Sequence, residues 1–285
     1  MNRDNQQTQR LVITPEGIPV SFRWMELWRY RDLILMLAKK TFLVHYKQTI
    51  LGPLWALIKP LITALVLTVT FQQIIGVDTG GIPAFLFYLC GYSYWLFFAE
   101  IVSTNARTFT DNAYVFGKVY FPRMAVPLAE LLVSLLDCVI RMGLLIVLLL
   151  ISALRGSATI NMSHWILLPL LVLQVGVLGL SVGVIVSSLT AKYRDLVMLV
   201  GFALQLWMYL TPVVYPVSQI RNPVLQKLLW CNPMTAPTEL FRAFFFGTGT
   251  INITAELVSL GVTAGLAVLA VFLFAKIEQD FMDTV

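Results

Sequence analysis

The chain has 285 residues, of which 58% are hydrophobic and 12% are charged, and its formal net charge is +5. A soluble domain carries about a quarter charged residues, so this composition excludes a water-soluble globular protein. The basic residues surround apolar stretches instead of forming one patch, which argues against a nucleic-acid partner and indicates membrane orientation. The three cysteines form no CxxC pair, so we expect no metal site and no cofactor bound by this chain.

The first 50 residues are rich in basic side chains and contain one amphipathic helix. One face of this helix carries Trp24, Leu27, Trp28, Ile34, Leu35 and Ala38. Glu26, Arg29 and Asp32 lie on other faces, while Arg31 would extend from the apolar face towards water. The pattern is typical of a helix that lies in the membrane surface. We therefore predict that residues 1–50 form a cytoplasmic head with an interface helix.

Six apolar windows follow the head, each near or above the roughly 20 residues that cross a bilayer. They cover residues 54–76, 82–103, 124–154, 165–189, 196–215 and 253–275. We predict a transmembrane helix in each, so that residues 54–275 form a six-helix membrane domain. The predicted fold class is an all-α integral membrane protein, with residues 1–285 as a single domain.

The connection before the last window contains two shorter apolar pieces, residues 225–230 and 240–247. Because each is too short to cross a bilayer, we predict short re-entrant or interfacial helices at the outer face.

The distribution of basic residues predicts the orientation of the chain. Of the 20 Lys and Arg residues, fourteen lie on the side that would hold both termini and four lie on the other. The positive-inside rule therefore places both termini in the cytoplasm.

The third window carries charged residues at membrane depth. Glu130, Ser134, Asp137 and Arg141 are spaced so that they form one stripe along a helix. Such a stripe could be a polar channel wall or a proton relay. Alternatively, Asp137 and Arg141 neutralise each other and hold helices together, which is the interpretation we favour.

Small residues recur at helical spacing in two windows. Gly176, Gly179 and Gly183 lie in the fourth window, and Gly261 and Gly265 lie in the sixth. Small residues at this spacing allow helix backbones to approach closely. We expect packing within the subunit rather than a dimer interface.

The chain lacks the phosphate-binding loop of an ATPase and the HExxH motif of a metalloprotease. No GxxxxGK[ST] loop occurs, because Lys118 is followed by Val119 and the upstream glycine is missing. HExxH is absent as well. We therefore expect a protein that is not an enzyme, and any ATP that drives it must be hydrolysed by another chain.

Short motifs occur in a fixed order between and beside the windows. They are Tyr30-Arg31-Asp32-Leu33, Tyr46-Lys47-Gln48-Thr49, Leu51-Gly52-Pro53-Leu54-Trp55, Tyr120-Phe121-Pro122-Arg123, Tyr193-Arg194-Asp195, Thr211-Pro212, Asn232-Pro233-Met234-Thr235 and Phe241-Arg242. In their order and placement they resemble the permeases of ABC-type polysaccharide exporters, which include O-antigen, capsule and teichoic-acid permeases. The resemblance covers nearly the whole chain.

The resemblance implies an assembly of two permease copies and two copies of a separate ATPase, which binds ATP and Mg²⁺. It also implies a channel for a lipid-linked polysaccharide between the permeases, in the bacterial cytoplasmic (inner) membrane. The head helix and the loop 105–121 are expected to contact the ATPase. The candidate coupling residues are Trp24, Trp28, Arg31, Tyr114, Phe116, Lys118, Arg194 and Asp195.

Aromatic residues are abundant in the second and fifth windows. Such rings suit stacking on the C–H faces of sugars, but they also form the aromatic belts found at bilayer interfaces, which we favour for any single ring. The candidate glycan-channel residues are Trp55, Tyr92, Tyr94, Trp95, Trp207, Tyr209 and Tyr215.

We therefore predict that the chain is the permease subunit of an ABC exporter that moves a lipid-linked polysaccharide, with O-antigen as the favoured substrate. The alternatives are a teichoic-acid or capsule exporter, an ion-coupled secondary transporter supported by the charged stripe, and a membrane-embedded transferase. A transferase would need acidic or histidine pairs near one membrane face, and His45 and His164 are predicted on opposite faces.

Overall fold

A computed structural model describes residues 24–47, 49–116, 118, 121–156, 164–190, 193, 195–247 and 249–282. All regular structure in these ranges is helical. The helices are α1 (Trp24–Arg29), α2 (Arg31–Lys47), α3 (Trp55–Leu67), α4 (Ala84–Asn105), α5 (Thr108–Phe116), α6 (Ala125–Leu154), α7 (Leu168–Thr190), α8 (Leu196–Leu210), α9 (Pro223–Trp230), α10 (Thr235–Phe246) and α11 (Ile253–Met282). A 3₁₀ turn precedes α3, and π-helical residues Thr68–Ile74 continue it.

Within the described residues, five helical segments are long and apolar enough to span a membrane. They are Gly52–Ile74, Ala84–Asn105, Ala125–Leu154, Trp165–Thr190 and Ile253–Ile277. They coincide with five of the six predicted windows. The remaining window holds α8, which has 15 residues and is therefore about 22 Å long.

Helix α8 is shorter than the window that predicted it because of a proline. Thr211 adopts extended backbone angles (φ −104°, ψ 142°), as the residue before Pro212 is expected to do. The helix therefore ends at Leu210 rather than near Tyr215. Whether α8 crosses the membrane stays a prediction.

Helix α4 is the centre of the bundle, and α3, α6, α7, α8 and α10 pack around it. The glycines of α7 allow its close approach to α4, since an added Cβ at Gly183 would lie 2.7 Å from the Cβ of Asn105. Predicted packing within the subunit is confirmed for α7. It is wrong for Gly261 and Gly265, because no described atom would lie within 4 Å of a Cβ added there.

The predicted head helix is divided into α1 and α2, and α2 lies along α6. Leu27 of α1 and Ala38 of α2 are buried against the protein, whereas Trp28 of α1 is 72% exposed and Leu35 of α2 is also exposed. The apolar face that we predicted to be continuous is therefore divided: some of its residues pack against the protein and others point away from it. An outward apolar side suits contact with lipid, so the interface position stays our prediction for this helix.

The connection between α8 and α11 contains α9 and α10, at the two predicted apolar pieces. All twelve residues of α10 are buried, and the helix contacts α4, α7 and α11. At eight and twelve residues, both helices are too short to cross a bilayer.

Candidate functional site

A polar cavity of about 320 Å³ lies between α2, α3, α4 and α6. Its walls include Tyr46 of α2, Trp55 and Lys59 of α3, Glu100 of α4 and Asp137 of α6. A second cavity of about 480 Å³ adjoins it beneath α2, with His45 and Glu130 in the walls of both. The two cavities bring the charged stripe of α6 together with one side of the head helix.

The predicted stripe on α6 is confirmed as one face of the helix. Glu130, Ser134 and Asp137 line the cavity, and Arg141 lies one turn further, 1% exposed. This placement follows from their spacing, because residues separated by four, seven and eleven positions share a helix face.

The predicted pairing of Arg141 with Asp137 is wrong, because Arg141 pairs with Glu100 on α4. Its Nη1 lies 2.8 Å from Oε1 and its Nη2 lies 2.7 Å from Oε2. Two parallel bonds of this kind are the strongest arrangement of a guanidinium and a carboxylate. Sequence reasoning missed Glu100, although a single acid in an apolar span signals a partner elsewhere in the bundle.

Asp137 instead binds the head helix. The hydroxyl of Tyr46 donates to its Oδ1 at 2.7 Å, and the hydroxyl of Thr41 donates to Oε1 of Glu130 at 3.4 Å. Burial, followed by the hydrogen bond to Asp137, raises the pKa of Tyr46 above its ordinary value. The phenol therefore stays protonated and keeps donating. These two bonds fix the polar side of α2 on the acids of α6.

Tyr114 and Phe116, two of the predicted coupling residues, lie on α5, which packs with α1 and α11 at one end of the bundle. Leu27, Phe109, Phe116 and Phe274 form one buried cluster there. Phe116 belongs to that cluster, whereas Tyr114 is 73% exposed. The described part of this end thus contains a hydrophobic support and an exposed ring.

The other coupling candidates are distributed as follows. The ammonium of Lys118 lies 3.8 Å from the centre of the Tyr114 ring, and the guanidinium of Arg31 lies 5.7 Å from the Trp28 ring. Asp195 is exposed before α8. Arg194 and the side chain of Trp24 lie outside the described part of the chain.

The predicted glycan-channel rings fall into two groups. Tyr94 stacks on Phe241 with ring centres 4.1 Å apart, and its hydroxyl donates to the carbonyl of Leu171 at 2.8 Å. Trp95 is buried as well, so these two rings support the bundle. The rings with exposed or half-buried surface are Trp55, Tyr92, Trp207, Tyr209 and Tyr215.

Two polar residues, one half-buried and one buried, hold the segment between α8 and α11 on the bundle. The amide of Asn232 donates to the carbonyl of Leu210 and to Thr211 Oγ1, each at 3.0 Å, and its oxygen accepts from the indole of Trp207 at 3.0 Å. These bonds give hydrogen-bond partners to the Leu210 carbonyl and the Thr211 hydroxyl at the end of α8, where Pro212 interrupts the helix.

Arg242 is the second of these residues. It pairs with Glu239 at 3.1 Å, donates to the carbonyl of Pro212, and lies 3.9 Å from the centre of the Phe87 ring. The motifs that end in Pro212, Thr235 and Arg242 along the chain therefore meet in space. These contacts fix the segment on the bundle, and the sequence contained no sign of them.

The sequence of this chain is similar to those of known membrane-transport proteins. The ABC-2 type transporter family matches residues 32–246. A protein of Myxococcus xanthus named O-antigen export system permease protein RfbA is 28% identical over 224 residues, which cover 78% of this chain and 83% of that protein. Two proteins of the same name from Klebsiella pneumoniae are each 26% identical, over 88% of this chain and 94% of their own length. The match runs from α2 to α10 and includes every helix around the polar cavity, so the chain belongs to the ABC-2 type transporter family.

Proposed function

We propose that this chain is the permease of an ABC exporter that moves a lipid-linked polysaccharide, specifically O-antigen, across the bacterial cytoplasmic membrane. The observation that carries the proposal is its similarity, over most of its length, to proteins named O-antigen export system permease. The cavity adds support, because it places an aromatic ring beside hydrogen-bonding side chains.

The energy comes from a separate ATPase, present in two copies, that holds ATP and Mg²⁺. Its contact surface is the end of the bundle where the buried cluster of α1, α5 and α11 supports the exposed Tyr114 ring. A short helix with a firm hydrophobic base transmits movement as a rigid body.

A second copy of the permease completes the channel. Few residues of the segment Gly52–Ile74 are buried, and Leu204 is the one buried residue of α8, all of which is described. Apolar faces of this extent indicate contact with lipid or with another copy of the chain. In the proposed assembly, α8 is the sixth span and both termini are cytoplasmic, as the basic residues indicate.

The glycan path follows the rings that the bundle does not bury. Trp55, at the start of α3, and Tyr209, near the end of α8, are both half exposed. Weak stacking at several such rings lets a polymer slide without a deep binding well.

Export in a cell that lacks its own permease tests the proposal. The chain is expressed with its ATPase, and surface glycan is measured together with lipid-linked polymer retained in the cytoplasm. We expect export that disappears when the ATPase cannot hydrolyse ATP. Retention of polymer in cells that express both intact proteins would contradict the proposal. Export that continues when the ATPase cannot hydrolyse ATP, but stops when an ionophore is added, would favour a secondary transporter.

A further inference from the structure

We propose that the polar cavity between α2, α3, α4 and α6 binds sugar units of the polymer as they enter the permease. This inference rests on the proposed function and adds a site within one subunit. The site lies beside the start of α3, the end of that helix predicted to face the cytoplasm.

The cavity offers both surfaces that a sugar ring requires. A sugar has an apolar C–H face, and Trp55 supplies a flat ring that is 50% exposed in the cavity wall. Large rings contribute contact area at little cost in conformational entropy. The sugar hydroxyls need acceptors, which the opposite walls supply.

Asp137 is the best placed acceptor. Its Oδ1 receives the Tyr46 hydroxyl, and an ionised carboxylate has about four acceptor positions over its two oxygens. Oδ2 receives no hydrogen bond from the described residues. Hydrogen bonds to a charged group are the stronger kind, so a sugar hydroxyl gains more here than at a neutral acceptor.

The charge balance offers no surplus of positive charge for the phosphate of a lipid carrier. Arg141 is paired with Glu100, and the other Asp, Glu, Lys and Arg side chains around the two cavities are Glu130, Asp137, Lys59 and Lys40. Two acids and two bases balance, so the walls do not concentrate positive charge as a phosphate site would. Neutral hydroxyls need no such charge.

The volume also fits a short piece of polymer. Small-molecule pockets measure about 300–1,000 Å³, and this cavity of about 320 Å³ lies next to one of about 480 Å³. The shared walls at His45 and Glu130 continue the polar lining beneath α2.

Binding measurements on the purified permease–ATPase complex test the site. The probes are a repeat-unit oligosaccharide of the exported polymer, free of lipid and phosphate, and a polyprenyl phosphate free of sugar. We expect Trp55→Leu to weaken oligosaccharide binding about tenfold, and Trp55→Tyr, which keeps a ring, to restore it. Asp137→Ala should cost about tenfold as well, while Asp78→Ala, an exposed acid outside the cavity, should change nothing.

Two results would overturn the site. If Trp55→Leu and the unmodified complex bind the oligosaccharide equally well, Trp55 is not part of a sugar-binding site. If Asp137→Ala loses binding of polyprenyl phosphate, the cavity binds the lipid carrier instead. Either result would leave the proposed function intact as long as the unmodified complex exports polymer in cells. If that complex did not export polymer, the proposed function itself would be rejected.

Discussion

Arg141 on α6 and Glu100 on α4 form a two-bond ion pair inside the helix bundle, with nitrogen–oxygen distances of 2.8 and 2.7 Å. A charge at membrane depth is costly unless it is paired. Because the bidentate geometry tolerates little displacement, the pair also fixes the relative height of the two helices. The same contact leaves Asp137 available to the head helix through Tyr46.

Removing one partner of this pair should destabilise the protein strongly. Arg141→Met leaves Glu100, whose side chain is 28% exposed, without its partner. Breaking a fully buried pair costs about 3–5 kcal/mol, so we expect a loss near the lower end of that range. The double variant Arg141→Met, Glu100→Leu removes both charges and should recover much of that loss. Thermal melting of the single and double variants in detergent measures the coupling. A double variant no more stable than Arg141→Met would contradict this account.

Most of the fold could be predicted from hydropathy, because a span needs only a sufficient length of apolar residues. The start of α6 at Ala125 and its end at Leu154 match the predicted window closely. The length of helix α8 was overestimated, because a hydropathy window does not show the break that Pro212 imposes at Thr211.

The site was predicted only where a single helix determines it. The face shared by Glu130 and Asp137 follows from helical spacing, but the partner of Arg141 depends on how α4 and α6 pack. Tyr92 and Tyr94 show the same limit, since two rings two positions apart differ in burial. The ring of Tyr94 stacks on that of Phe241, a residue far along the chain.

A methyl group added to α7 should weaken its packing on α4. In Gly183→Ala the new Cβ would lie 2.7 Å from Asn105 and 3.2 Å from the backbone oxygen of Ile101. Overpacking of this kind costs about 1–3 kcal/mol. Gly265→Ala is the matched control, because nothing described lies within 4 Å and alanine favours a helix. Equal melting temperatures for the two variants would show that α7 and α4 are not closely packed.

The two aromatic residues of α5 should have different effects when replaced. Tyr114→Ala removes an exposed ring and should lower co-purification of the ATPase severalfold without changing the melting temperature, since exposed aromatic anchors carry interface energy. Phe116→Ala removes a buried ring that packs on Phe109 and Phe121, so it should lower the melting temperature. Normal recovery of the ATPase with Tyr114→Ala would exclude this ring from the interface.

Cysteine labelling should establish whether α8 crosses the membrane. Cys231→Ser removes the exposed cysteine and leaves two buried ones. In that background, Asp78→Cys and Ser218→Cys should react with an impermeant reagent in intact cells, and Asp111→Cys and Asp195→Cys only after permeabilisation. The reason is the basic residues, which place α5 and the start of α8 on the cytoplasmic side. Asp195 and Ser218 lie on either side of α8. Labelling of both from the same side would reduce the spans to five and place the two termini on opposite sides of the membrane.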